Sequence, residues 1–264
     1  MELLGHIFLF LKTGCKRPEP FGVFHIFMML AVFIAAALII KKFRFPTEER
    51  VQKLLFVLSA VTILLEIYKQ ILYSFNYGEN GFVFSYAWRV FPWQFCSTPM
   101  IAGLLAAVIK KGRLHKALCC YLATYGLFAG LLTVITGGNI FSGYVGINFQ
   151  TAVCHGAMTV IGLYLLATGY VKAEFKTIGY ALPVFLAGLI LAVALNYLIY
   201  NTVLPAGQVF DMYYISPYFI DNVAVMKPFK ELFGHFLPIV YALVYTGFSA
   251  IIILIAKLFS KRIP

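Results

Sequence analysis

Residues 22–40 read GVFHIFMMLAVFIAAALII, nineteen residues whose one ionisable side chain is His25, and Lys41-Lys42-Phe43-Arg44 follow at once. A helix needs about 20 apolar residues to cross the hydrocarbon of a bilayer, with every backbone polar group bonded within the segment. This run has that length and stops on a basic cluster, as a spanning helix does at the cytoplasmic surface. Working outward, residues 51–73, 88–109, 117–136, 149–171, 177–200 and 235–256 repeat the pattern. The chain therefore reads as an all-α integral membrane protein, a seven-transmembrane helix bundle. Residues 1–21 are expected to be an N-terminal interfacial segment, 22–256 the membrane domain and 257–264 a basic tail.

Composition points the same way. The chain is 62% hydrophobic and 12% charged, whereas a soluble domain carries about 25% charged residues. The formal charge of +11 does not suggest nucleic acid, because the basic residues sit in short clusters between apolar runs. Fourteen of the 21 basic residues lie in residues 41–53, 110–116 and 172–176 and in the C-terminal tail. The alternating connections, 74–87, 137–148 and 201–234, together hold only Lys227 and Lys230. The basic side is the cytoplasmic one, so the N-terminus is expected outside, the C-terminus in the cytoplasm, and the protein in a bacterial plasma membrane. One segment breaks the pattern: Lys12, Lys16 and Arg17 lie on the outer side.

The first 13 residues, MELLGHIFLFLKT, lack a basic start and a small-x-small cleavage site, so they are read as an interfacial helix rather than a signal peptide. The five cysteines, Cys15, Cys96, Cys119, Cys120 and Cys154, contain no CxxC, and four fall inside expected spans, against a disulfide framework. The long outer connection 201–234, with three prolines and many aromatics, is either a lid or a connector resting on the headgroups.

Polar side chains inside spans are costly and mark sites. In the second span Ser59, Thr62, Glu66, Lys69 and Tyr73 share one helix face by their spacing. Glu66 and Lys69 can pair, either as a site or as a self-neutralised pair holding helices together. The third span opens Trp88-Arg89-Val90-Phe91-Pro92-Trp93-Gln94-Phe95-Cys96, and helical spacing puts Arg89, Trp93 and Cys96 on one face, with Pro92 and Pro99 distorting it. The fifth carries Asn148, Thr151, His155 and Thr159 in one stripe. Alone, His155 is more often a bonded core residue than a catalyst. Depth alters that weighing: Glu66, Cys96 and His155 each fall roughly 9–12 Å below the outer surface at 1.5 Å per residue.

A carboxylate, a thiol and an imidazole in one layer suit a particular chemistry. A thiol is a poor nucleophile until it loses its proton, and a neighbouring histidine can accept that proton. Glu66, Gln94 and Asn148 are the groups available to orient the imidazole, and Arg89 and Lys69 are placed to receive a phosphate headgroup. Cys96 and His155 are thus the candidate catalytic pair for acyl transfer from a lipid ester through a thioester. No metal ligand set is present, since HxxH and CxxC are absent; the seventh span has no lysine for a retinal Schiff base; and there is no GxSxG. No cofactor is expected.

Glu66-Ile-Tyr-Lys69-Gln70, Pro92-Trp-Gln-Phe-Cys96, Cys154-His155-Gly156 and Asn196-Tyr197 occur in this order over most of the chain. In them the chain resembles the YwaF-like bacterial membrane proteins and their animal relative, transmembrane protein 164. That resemblance implies a cysteine-dependent acyltransferase acting on phospholipids, with Cys96 at the nucleophile position, His155 at the catalytic histidine and Glu66 and Lys69 at the second-span E-x-x-K. The flanks of Cys96 depart from the animal motif, which has proline before the cysteine and histidine after it, where this chain has Phe95 and Ser97. Three readings follow: a lipid acyltransferase or lipid-ester hydrolase, a transporter or channel lined by the Glu66–Lys69 pair, or a non-catalytic lipid-binding protein. Each takes membrane phospholipid as its surroundings or substrate.

Overall fold

A computed structural model of the chain describes residues 2–79, 81–137 and 140–260. The last four residues of the basic tail, and with them Lys261 and Arg262, lie outside the described residues. The elements in order are α1 (Glu2–Leu11), α2 (Val23–Lys42), α3 (Glu48–Ser74), a hairpin of β1 (Phe75–Gly78) and β2 (Gly81–Phe84), and a 3-10 turn at Trp88–Val90. Then come α4 (Thr98–Val108), α5 (Gly112–Thr136), α6 (Val145–Ala167), α7 (Phe175–Thr202), α8 (Lys227–Phe233) and α9 (Leu237–Ser260).

Six helical stretches among the described residues are long and apolar enough to cross a membrane: α2, α3, α5, α6, α7 and the run Lys227–Leu258 that holds α8 and most of α9. The most apolar stretches of α5 and α6 are each 72% buried; these two are the centre. The outer helices α2, α3, α7 and α9 turn large apolar side chains outward, Phe27, Leu64, Ile190 and Leu243 among them. An apolar exterior around a packed interior is what lipid as the solvent demands.

Local chemistry sets the helix ends. The Thr47 hydroxyl accepts the Arg50 N–H at 3.3 Å to cap α3. Gly137 closes α5 in the left-handed region at φ 56°, with the His25 ring directly against it, so a side chain there meets both strain and a ring. His25 is buried; its Nδ1 accepts the Phe21 N–H at 2.8 Å, so Nε2 carries the proton and donates to the Val134 carbonyl at 2.8 Å. That makes His25 a strut between α2 and α5. Midway along α5 a π turn at Leu122–Gly126 interrupts the α-helical bonding. Close approach sets two packings: a Cβ on Gly103 of α4 would lie 2.2 Å from the Ser59 hydroxyl on α3, and one on Gly162 of α6 would meet Leu127 on α5.

The third expected span is corrected. Residues 88–109 are not one helix: the chain makes a 3-10 turn, runs without regular structure from 91 to 97, and becomes helical only at Thr98. Pro92 is the cause. A residue before proline is pushed out of the helical region, and Phe91 has φ −46° and ψ 136°. Pro99 sits in the first turn of α4, where its missing N–H costs nothing. At 11 residues, α4 rises about 16 Å, half the hydrocarbon thickness. The connection 74–87 also contains a hairpin not foreseen, in register Phe75 to Phe84 and Gly78 to Gly81. Its signal was the Gly78-x-x-Gly81 turn between aromatic runs.

The connection 203–236 is folded onto the bundle. Phe210, Asp211, Met212 and Tyr213 are buried, and Lys230 on α8 reaches back to Asp211 at 2.6 Å with both side chains 1% exposed. Asp211 also accepts the Ser216 N–H at 2.8 Å and the Asn222 amide at 3.2 Å, and Lys230 donates to the Phe219 carbonyl at 2.7 Å. The desolvated pair is therefore bonded on every side.

Candidate functional site

A cavity of about 690 Å³ opens between α3, the irregular segment before α4, α5, α6 and α9, a volume in the range of small-molecule sites. Glu66, Lys69, Arg89, Cys96 and His155 all line it, as do Gln94 and Cys154. Asn148 does not, but its neighbours Ile147 and Gln150 do. The residues expected in one polar layer, Asn148 excepted, line one cavity.

Cys96 reaches the cavity by a route the sequence pattern did not indicate. Arg89, Trp93 and Cys96 do not share a helical face, because residues 91–97 are not helical. Trp93 turns away and donates its indole N–H to the Gly188 carbonyl at 3.1 Å. Irregular backbone at membrane depth is tolerated where it is buried in protein or lines a cavity, and here it does both. Gln94 holds it: its amide donates to the Asp211 carbonyl at 2.9 Å and its oxygen accepts the Tyr213 N–H at 2.9 Å. Phe95 packs edge-on against Tyr245 at 4.8 Å. Thr98 and Tyr121 share a hydrogen bond of 2.7 Å just below.

His155 is buried on α6, with Nδ1 2.9 Å from the Thr151 carbonyl. A carbonyl only accepts, so Nδ1 carries the proton and Nε2 keeps its lone pair. The group that orients the imidazole is thus a backbone carbonyl of its own helix. Gln94 is committed to the loop. Asn148 is committed to the turn before α6, where it accepts the Ser142 N–H at 2.8 Å and donates to the Ser142 carbonyl at 3.0 Å.

Glu66 is taken up likewise. Its carboxylate pairs with Lys69 at 2.8 Å and accepts the Gln70 amide at 2.8 Å. Gln70 also donates to the Val90 carbonyl at 2.5 Å and accepts the Tyr86 hydroxyl at 3.0 Å. Burial first, and the Glu66 charge second, push the Tyr86 phenol above its ordinary range, so it stays a donor. The network ties α3 to the turn that feeds Cys96 into the cavity. Asp211 carries no signal in the sequence, because it acts through tertiary contacts. Thr151 and Gln70 stand in runs the sequence marks, the stripe of the fifth span and E-x-x-K-Q, and only their partners are new.

The lining also includes apolar Met100, Ala129, Met158 and Ile161 and the hydroxyls of Ser59 and Thr62; Met158 and Ile161 lie roughly 5 and 9 Å beyond His155, and Thr62 and Ser59 roughly 6 and 10 Å from Glu66, at 1.5 Å per residue.

A model of the TMEM164 family matches residues 20–259, nearly the whole chain. The chain belongs to the TMEM164 family. No curated protein and no solved structure matches it. TMEM164 membership, together with the six apolar helices, makes this a multi-pass membrane protein, and membership fits a lipid-related role. Among the described residues no group of three or more His, Cys, Asp or Glu is arranged to hold a metal ion.

Proposed function

We propose that this TMEM164-family protein is a lipid acyltransferase or lipid-ester hydrolase working through Cys96 and His155. The single observation that supports the reading is that both side chains line one cavity, which also offers apolar surface from Met100, Ala129, Met158 and Ile161. In the proposed cycle His155 Nε2 takes the Cys96 thiol proton as the sulfur attacks the ester carbonyl. The carbon–oxygen bond to the glycerol then breaks, and the imidazolium returns the proton to the departing oxygen, leaving a thioester on Cys96 and a lysolipid. Water, or the hydroxyl of a second lipid, attacks the thioester with His155 again taking the proton; the carbon–sulfur bond then breaks and the imidazolium returns the proton to the Cys96 sulfur. Water makes the protein a hydrolase; a lipid hydroxyl makes it a transferase.

Met100, Ala129, Met158 and Ile161 offer an acyl chain apolar surface within the same cavity, beside the Ser59 and Thr62 hydroxyls. For topology we propose seven crossings, with the third completed by residues 88–97 and α4. The basic connections face the cytoplasm and the cavity mouth faces out, in a bacterial plasma membrane. The test is labelling of the purified protein by an acyl-chain activity probe. Cys96→Ala is expected to abolish the label, and labelling undiminished by that change rejects the mechanism.

A further inference from the structure

The N-terminal basic residues, out of place by the charge pattern, have a structural use. The segment that carries them is fastened across the mouth of the cavity. The Cys15 N–H donates to the Gly143 carbonyl at 2.8 Å, the Val145 N–H to the Thr13 carbonyl at 3.0 Å, and Gly14 pairs with Tyr144 as an antiparallel bridge. The Tyr68 hydroxyl donates to the Leu11 carbonyl at 2.7 Å, and Lys12 donates to the Phe75 carbonyl at 3.2 Å and to Asn76 at 2.8 Å. Lys12 is thereby a fastener. Lys16 pairs with Glu19 at 3.2 Å. Arg17 is left, and its side chain lines the cavity together with Arg89.

Neither arginine forms an ion pair among the described residues. The Arg89 guanidinium lies over the Tyr73 ring, 4.9 Å from its centroid, which holds the cation by its face and leaves its N–H edge open. Glu66 is the one acidic side chain lining the cavity, and Lys69 neutralises it. The cavity lining therefore carries two guanidinium charges with no counter-charge of its own.

We propose that Arg17 and Arg89 form a phosphate-binding subsite at the cavity mouth, which takes the phosphodiester of the lipid whose ester reaches Cys96. The inference rests on the cavity being a lipid site. The guanidinium fork matches phosphate oxygens in geometry as well as charge, and a bound phosphate supplies the counter-charge that the lining lacks. It also gives a reason for Arg17 to stand on the side where basic residues are otherwise sparse. Free phosphate presents the same oxygens, so the chemistry is phosphate recognition and the experiment separates the two sources.

The full chain in a maltoside detergent, which has no phosphate, is tested for direct binding of radiolabelled dihexanoylphosphatidylcholine and of dihexanoylglycerol, with inorganic phosphate as competitor. The phospholipid is expected to bind at least about tenfold tighter than the phosphate-free lipid, as charged hydrogen bonds of ordinary strength imply. Arg17→Gln and Arg89→Gln are each expected to remove about tenfold from phospholipid affinity alone, with Arg17→Lys in between. Competition by inorganic phosphate at its own modest affinity supports the same pair and assigns the subsite to phosphate from either source. Unchanged phospholipid affinity in both glutamine variants, each eluting as a folded monodisperse protein, overturns the proposal, as does equal binding of the two lipids. Acyl labelling that Cys96→Ala leaves undiminished, with this binding intact, would remove the catalytic reading and leave the subsite.

Discussion

Nδ1 of His155 donates to the carbonyl oxygen of Thr151, one turn earlier on the same helix, at 2.9 Å. The bond sets the tautomer without a carboxylate: the proton is on Nδ1, and Nε2 is the basic atom. His155→Gln keeps a polar side chain of similar reach but removes the base. It should slow acylation of Cys96 by about 10²–10⁴-fold, the usual worth of a positioned general base, while thermal unfolding of the detergent-solubilised protein stays close to the parent. Stopped or slowed labelling together with a large fall in melting temperature would instead make His155 a structural residue.

Gln94 is the hinge pin between the Cys96 segment and the loop above it. Its two bonds reach residues 117 and 119 positions away. Gln94→Ala leaves a buried carbonyl and a buried N–H unpaired, at about 1–3 kcal/mol for each group. The expected results are a lower unfolding temperature and faster proteolysis in residues 203–226. A variant as stable as the parent would show that water replaces the amide.

Asp211 and Lys230 are both 1% exposed, so removing one partner strands a desolvated charge. Lys230→Met should cost about 3–5 kcal/mol, and pairing it with Asp211→Leu should recover a large part of that loss. A double-mutant cycle measured by thermal unfolding checks the sign: a double variant less stable than Lys230→Met alone contradicts the argument.

Gly103 and Ser59 are matched by space. A methyl at 103 would lie 2.2 Å from the Ser59 hydroxyl oxygen, and that oxygen has no hydrogen-bond partner. Gly103→Ala is expected to destabilise by about 1–3 kcal/mol through overpacking. Ser59→Ala in the same chain should restore most of it, because the clashing atom is gone and no hydrogen bond is lost. Failure of that rescue would place the strain in the α4 backbone.

The spanning helices were legible in the sequence because crossing a bilayer is a local demand: each segment must be long and apolar enough on its own. The expected segments 51–73 and 177–200 differ from Glu48–Ser74 and Phe175–Thr202 only by a few residues at the ends. The break before Cys96 was half legible. Pro92 marks a distortion in the sequence, but the helical spacing of Arg89, Trp93 and Cys96 does not survive it, because Phe91 before the proline leaves the helical region.

The candidate site divides along the same line. Apolar runs, the E-x-x-K in α3 and the place of His155 along α6 could be read from the order of residues, because each depends on one helix and its length; a depth counted for Cys96 along a helix from Trp88 could not, because residues 91–97 are not helical. That Gln94 and Asn148 are committed elsewhere and leave the imidazole to the Thr151 carbonyl, that Gln70 ties Glu66 to the Val90 turn, and that Arg17 lines the cavity were decided only by tertiary structure. Those partners are set by how neighbouring segments compete for a limited number of donors and acceptors, a competition resolved when the helices pack and the two outer connections close over them.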